Sequence, residues 1–488
     1  MLLRHTTFNL IGLGAPLLVA IVTIPPLIAA LGPSRFGLLT MVWAVVSYFG
    51  LFDLGLGRAL TQQLSLAFAR GDDDSIGPLT ATATVLMAVL GVVAGIALAL
   101  GAPWGVDLIK SVPDRGEAIR AVYAMAFAMP SIILTSGFRG VLEAKSAFGI
   151  VNAIRLPLGL FTFLGPLAVV WHGNPGLDVI ALVLALGRMV GCVVHAVFAW
   201  RVLTPTQRRL HVGRAEMKQL ASSGGWLTVS NIISPIMGYV DRFVIGAVVS
   251  ASAVAYYATP NEMVTKIWII PGAVTAVLFP AFAARMADPD ADNLGLVRAS
   301  LTALYITVLP ITAVLVLFGN ELLTLWINAE FASHSTLLLQ IFAVSILINC
   351  MAQIPYTLIQ SAGQPRTTAL LHCGILPIYL LSLWLLARTF GVTGAAWAWL
   401  LRMVIDACTL FFLSAPILRQ PRTYFINRHV VTLSLLAALT FAGALFDNPW
   451  LRVLWVSIGI GLAVLCTKPV AMLMAYRARY AASRNTGS

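Results

Sequence analysis

The chain has 488 residues, of which 59% are hydrophobic and only 10% charged, and its formal net charge is +12. A mean hydropathy of +0.90 leaves no polar stretch long enough to enclose a water-soluble core, which excludes a soluble enzyme as the body of the chain. Apolar stretches near the ~20 residues that a helix needs to cross a bilayer follow one another almost end to end. In chain order they run approximately over 8–31, 36–60, 78–101, 118–138, 150–171, 178–200, 226–248, 253–284, 296–318, 335–359, 367–388, 393–415, 430–446 and 451–475. This pattern predicts an all-α, polytopic membrane protein with about fourteen transmembrane helices. The first stretch reads as an uncleaved helix, because its apolar run from Phe8 is longer than a signal-peptide core and carries Pro16, Pro25 and Pro26. Lys and Arg crowd into alternate gaps while Asp and Glu show no such bias, so the basicity reads as topology and not as affinity for nucleic acid. Both termini are then expected on the cytoplasmic side of a multi-pass protein.

The longest polar interruption, Arg201 to Ser223, separates spans six and seven. Its second half reads either as an amphipathic helix on the inner leaflet or as a solvated linker between two bundles. The chain also repeats itself. ALVLALGRMVG from Ala181 and AAWAWLLRMVI from Ala395 both place Arg-Met-Val mid-span, at Arg188 and Arg402, and VLEAKSAF from Val141 pairs with LIQSAGQP from Leu358. Duplication gives two parallel six-helix lobes plus two extra C-terminal helices. The expected domains are a lobe over 1–200, a cytoplasmic linker over 201–225, a second lobe over 226–415, and two added helices with a tail over 416–488.

Charge at bilayer depth costs at least ~2.5–3.5 kcal/mol, so each charged residue within a span needs a partner or a watery cavity. Asp53 and Arg58 in span two are five apart, a poor same-face spacing, and Gly50, Gly55 and Gly57 around them favour a bend or a close helix approach. Asp241 and Arg242 in span seven are neighbours that diverge by ~100° on a helix, so each requires its own partner. Glu262 and Lys266 are spaced for an intrahelical bridge, as are Arg402 and Asp406 in the opposite order. Arg188 has no acid four residues away and requires either an interhelical partner or an anionic ligand. Arg155, near a span end, is placed to snorkel.

Catalytic signatures are missing from the chain. There is no GxxxxGK[ST], HExxH or GxSxG, and the five cysteines and seven histidines are scattered without metal-ligand spacing. His195 and His372 fall within spans as helix-contact residues or proton relays. The sequence reads as a non-enzyme without cofactor or metal.

Three blocks carry a family resemblance. The stretch from Thr6 to Leu60 joins a proline-broken first helix, Leu31-Gly32 and Phe36-Gly37 turns, and Asp53-Leu54-Gly55-Leu56. A second block contains Asp241-Arg242 followed by a Val254–Tyr257 turn with Ala255 in place of glycine, and a third is NELLTLWINAEFASHS. Together they resemble bacterial polysaccharide-biosynthesis flippases of the multidrug/oligosaccharidyl-lipid/polysaccharide exporter superfamily. The resemblance implies two lobes around a cavity with alternating access, and a polyprenyl-pyrophosphate-linked oligosaccharide moved across the bacterial cytoplasmic (inner) membrane. Arg58, Arg188, Arg242, Lys266 and Arg402 are then candidate headgroup contacts, and Asp53, Asp241, Glu262 and Asp406 candidate coupling or gating carboxylates. Expected partners are the lipid-linked oligosaccharide, membrane lipid, and glycosyltransferases and a polymerase of the same pathway. The alternatives are a multidrug antiporter, a peptidoglycan-precursor flippase, or a membrane-embedded oligosaccharide polymerase, which would need a longer external loop than this chain has.

Overall fold

The computed structural model describes residues 2–49, 53–173, 176–209, 211–223, 225–286, 292–421 and 428–467. The described residues contain no strand, and eleven helical stretches are long and apolar enough to cross a membrane. The predicted spans fall on fewer, longer helices: α1 (Leu2–Phe49) holds the first span and the start of the second, α8 (Gly225–Val248) the seventh, and α14 (Pro365–Ser414) the eleventh and twelfth, while the end of the fourteenth lies outside the described residues. A straight helix of α1's 48 residues would be ~72 Å long, more than twice the ~30 Å hydrocarbon layer. It breaks at Gly32, whose φ of 70° and ψ of 164° lie outside helical space. Gly391, with φ 62° and ψ −143°, divides α14 in the same way.

Contacts divide the chain into two compact units, residues 1–255 and 256–488. In the first, α3 (Asp73–Asp107), α4 (Arg115–Ala144), α5 (Phe148–Trp171) and α6 (Leu177–Val202) pack with α1 and α2 (Leu56–Arg70). Asp114 caps α4 by accepting the backbone N–H of Glu117 at 3.0 Å, and that bond holds its carboxyl below the usual carboxylate range. Arg35 of α1 pairs with the buried Glu117 at 2.9 Å, and Glu117 also accepts the backbone N–H of Leu177, so one carboxylate joins α1, α4 and α6. Lys110 ties α8 into this unit, its ammonium donating to the Val248 carbonyl at 2.7 Å.

The second half of the polar segment after α6 forms α7 (Arg214–Ser223), a helix as in the first of the two readings, and it is held against α2 and α3. Gln207 donates to Asp73 at 2.7 Å, the Gly213 N–H donates to Thr82 at 3.2 Å, and Leu220 is buried with Leu60, Leu64 and Ile76. Leu220→Ala should cost ~2–4 kcal/mol of local packing. The check is limited trypsin digestion, with faster cleavage expected at the exposed Arg209, Arg214 and Lys218.

In the second unit, α11 (Asn293–Leu317), α13 (Ala329–Ser361) and α14 form the core. Tyr257 stands edge-on to Phe342, and Phe342 edge-on to Trp399, at 4.9 and 5.2 Å. The added helices α15 (Arg428–Phe441) and α16 (Pro449–Thr467) are fastened to this core. Tyr305 donates to the Leu433 carbonyl at 2.8 Å, and Arg452 reaches the Leu317 carbonyl at 2.9 Å and Glu321 of α12 (Gly319–Trp326) at 2.7 Å. The predicted eighth span is interrupted. It comprises α9 (Ala251–Thr265), a 3₁₀ turn over Lys266–Trp268 and α10 (Ile269–Met286), because Pro271 has no N–H for the Ile267 carbonyl.

Candidate cationic substrate site

Span two is not one helix over 36–60, as its hydropathy suggested, and the reason lies in Asp53. Helix α1 ends at Phe49 and α2 begins at Leu56. Between them Leu54 and Gly55 adopt φ of 53° and 76°, the left-handed region that stops a right-handed helix. Restarting the helix inside a membrane leaves backbone N–H groups without partners. The Asp53 carboxylate accepts two of them, from Gly55 at 3.0 Å and Gly57 at 2.9 Å, and a third bond from the Ser136 hydroxyl of α4 at 2.7 Å. Position 57 must be glycine, since an added Cβ would lie 2.5 Å from Asp53 Oδ2. The bend expected from the local glycines is therefore a capped break with α4 docked against it.

Ser136 also lines a small polar cavity with Thr135 and Arg139 of α4, Leu158 of α5, and Arg188 and Gly191 of α6, of about 120 Å³. Glycine at 191 permits the close approach of α5 and α6, because a Cβ there would meet Leu158 at 2.7 Å. The Arg188 guanidinium donates to the Thr162 hydroxyl of α5 at 3.2 Å and forms no ion pair among the described residues. Arg139 bridges Glu143 at 3.5 Å along its own helix. Two guanidinium groups from different helices thus border one polar recess, with carboxylates consumed elsewhere: Asp53 by the helix break and Glu143 by Arg139. Such a recess suits a ligand that brings several anionic oxygens, because guanidinium N–H groups bind phosphate oxygens in a fork.

Of the candidates read from sequence, Asp53 and Arg188 are brought close to this recess. Arg58 lies on the exposed face of α2 without an ion pair among the described residues. Asp241 and Arg242 are buried, as a helical pair needing separate partners demands. The Asp241 carboxylate accepts the Arg242 backbone N–H at 2.8 Å, while the Arg242 side chain donates to the Thr40 carbonyl of α1 at 3.3 Å and lies 5.2 Å over the Tyr239 ring. Glu262 and Lys266 form the expected bridge, at 2.9 Å and half-exposed. An exposed pair of this kind contributes ~0.5 kcal/mol or less. Lys266→Ala should therefore leave the melting temperature unchanged in thermal unfolding.

Arg402 and Asp406 turn to different neighbours, despite a spacing that suits a bridge. The Arg402 guanidinium sits 5.2 Å over the Tyr379 ring, and Asp406 faces His372. The repeat-related arginines accordingly act alike, since Arg188 and Arg402 each reach back to the preceding transmembrane segment. Sequence reading missed Arg139, which lies beyond the apolar stretch ending at 138. Helix α4 continues past that stretch to Ala144 and keeps Arg139 one turn from Ser136. Among the described residues, no group of three His, Cys, Asp or Glu side chains is placed to hold a metal ion.

The helices and their breaks define a multi-pass, all-helical membrane fold. Similar solved structures include lipid II flippase MurJ in an inward closed conformation, with TM-score 0.63, 11% identity and coverage of 92% of this chain and 99% of that one. A mutant of the Vibrio cholerae MATE transporter VcmN matches with TM-score 0.57 and 17% identity, over 86% of this chain and 100% of that one. At these identities the likeness shows the fold alone. The family described as "Polysaccharide biosynthesis protein" matches residues 2–286, and this chain belongs to it. A Shigella flexneri protein described as "Putative O-antigen transporter" is 29% identical over 413 residues, covering 84% of this chain and 97% of that one.

Proposed function

We propose that this protein moves a polyprenyl-pyrophosphate-linked oligosaccharide across the bacterial cytoplasmic membrane by alternating access, with both termini cytoplasmic. The recess bordered by Arg139 and Arg188 carries this reading. A sugar headgroup with pyrophosphate cannot enter hydrocarbon unaided, because each unpartnered polar group costs ~2–7 kcal/mol and a charge costs more. Arginine held in a polar recess at membrane depth lowers that barrier by neutralising phosphate while hydroxyl groups beside it bond the sugar. Membership of a polysaccharide-biosynthesis family supports a cargo built by glycosyltransferases and consumed by a polymerase.

The test is cellular. Cells that depend on this protein should, after its deletion, accumulate the lipid-linked intermediate on the inner leaflet and lose the surface polysaccharide, and wild-type protein should restore both. Normal leaflet distribution in the deletion strain would overturn the proposal.

A further inference from the structure

We infer that one face of α13, in the second unit, binds the sugar portion of the cargo, an inference that rests on the transport reading above. Asn349, Gln353, Tyr356 and Gln360 recur at helical intervals, so they fall within ~60° of one another around the axis. Their polar atoms form two bonded groups. Trp268 of the 3₁₀ turn donates its indole N–H to the Asn349 amide oxygen at 2.8 Å, and Gln353 donates to the same oxygen at 3.3 Å. Gln360 donates to the Tyr356 hydroxyl at 3.2 Å and to Thr368 of α14 at 2.8 Å. The face runs ~16 Å along the helix, longer than a single monosaccharide.

Helix packing alone does not account for these side chains. Membrane helices do use Asn and Gln to bond one another, and the Trp268–Asn349 and Gln360–Thr368 contacts are of that kind. The Gln353 side chain, however, bonds only within its own helix and fastens no second one. The side-chain oxygens of Gln353 and Gln360 accept no hydrogen bond among the described residues, yet neither is sealed from its surroundings. Trp268 is 38% exposed, and just before it Glu262 and Lys266 pair half-exposed within a membrane span. Hydrocarbon would penalise such groups, so the segment that carries Trp268 borders an aqueous space.

The chemistry of the face selects a carbohydrate. A pyranose ring has a rim of hydroxyl groups, each both donor and acceptor, around apolar faces of C–H groups. A carboxamide offers a donor and an acceptor side by side, and an exposed indole offers a flat apolar surface with a polar edge. Helix α13 holds no Lys or Arg, and its one carboxylate, Glu330, lies in its first turn, at the end away from this face. The face therefore suits uncharged sugar and not pyrophosphate. The internal repeat supports that division. The 217-residue offset that sets Val141 against Leu358 places Ser136 and Arg139 opposite Gln353 and Tyr356. Ser136 and Arg139 line the cationic recess. The equivalent helical face is thus cationic in one repeat and carboxamide-bearing in the other.

Binding to the full-length protein in lipid nanodiscs tests this with two short-chain probes. One is polyprenyl pyrophosphate bearing an oligosaccharide repeat of the cell's surface polysaccharide, and the other is bare polyprenyl pyrophosphate. The wild type should bind the sugar-bearing lipid about tenfold tighter or more, the yield of a few added hydrogen bonds. Gln353→Leu and Trp268→Phe should each cut that ratio by about threefold or more and leave affinity for the bare lipid unchanged. Gln340→Leu, on the opposite face of α13, should preserve the ratio. Equal wild-type binding of the two lipids, or a ratio that survives in both variants, overturns the inference and leaves the transport reading standing. An equal fall for both lipids in the variants also overturns it, because the loss is then not one of sugar contacts. If Gln353→Leu does not fold, Trp268→Phe, which keeps an aromatic ring, decides alone. A wild type that binds neither lipid counts against the transport reading itself, and the inference falls with it.

Discussion

Arg188→Ala should lower export of the lipid-linked sugar by ~30–150-fold, the loss of ~2–3 kcal/mol of charge-assisted hydrogen bonding to phosphate. Arg188 sits between α5 and α6 with a hydroxyl as its contact, so its charge is available to a ligand. Arg188→Lys keeps the charge but not the fork, and should fall between wild type and alanine. The measurement is surface polysaccharide in complemented deletion cells, normalised to the amount of folded protein. Arg139→Ala should show a smaller defect, because Glu143 already engages that guanidinium.

Asp53→Ala should destabilise the first unit by several kcal/mol and sharply reduce the amount of folded protein. It strips the acceptor from two backbone N–H groups, each costing ~1–3 kcal/mol when orphaned, whereas the Ser136 hydroxyl still has the Ile133 carbonyl at 2.8 Å. Asp53→Asn keeps one carbonyl oxygen and removes the charge, so it separates two roles for this residue. If Asp53 acts as a helix cap, the asparagine variant folds, melts a few degrees below wild type and still transports. If Asp53 acts as a titrating carboxylate, the asparagine variant folds but is inactive. Thermal unfolding in detergent, paired with the cellular assay, distinguishes them, and the three hydrogen bonds at Asp53 favour the cap.

Hydropathy revealed the order of spans because the bilayer imposes one length on every crossing. The helix breaks were legible in part. Gly50, Gly55 and Gly57 pointed to a bend in span two, but a capping role for Asp53 depends on bonds to Ser136, 83 residues away. Arg139 was hidden because an apolar window ends where hydrophobicity ends, whereas α4 continues for another turn and a half. His372 and Asp406 lie 34 residues apart on two arms of α14. Sequence spacing ranks neighbours on one helix, so it set Asp406 against Arg402 and could not anticipate the imidazole brought in by the fold-back. The Glu262–Lys266 bridge was readable because both residues lie on one face, and for the same reason it says little about transport.

Binding of a short-chain polyprenyl-pyrophosphate sugar and of its uncharged alcohol-linked analogue to the purified protein in nanodiscs is the most direct measurement. If cationic side chains at depth receive the headgroup, the pyrophosphate form binds at least about tenfold tighter, a difference of ~1.4 kcal/mol, and R139A/R188A removes that preference. Equal binding of the two lipids to the wild type, or a preference that survives in the double variant, contradicts it.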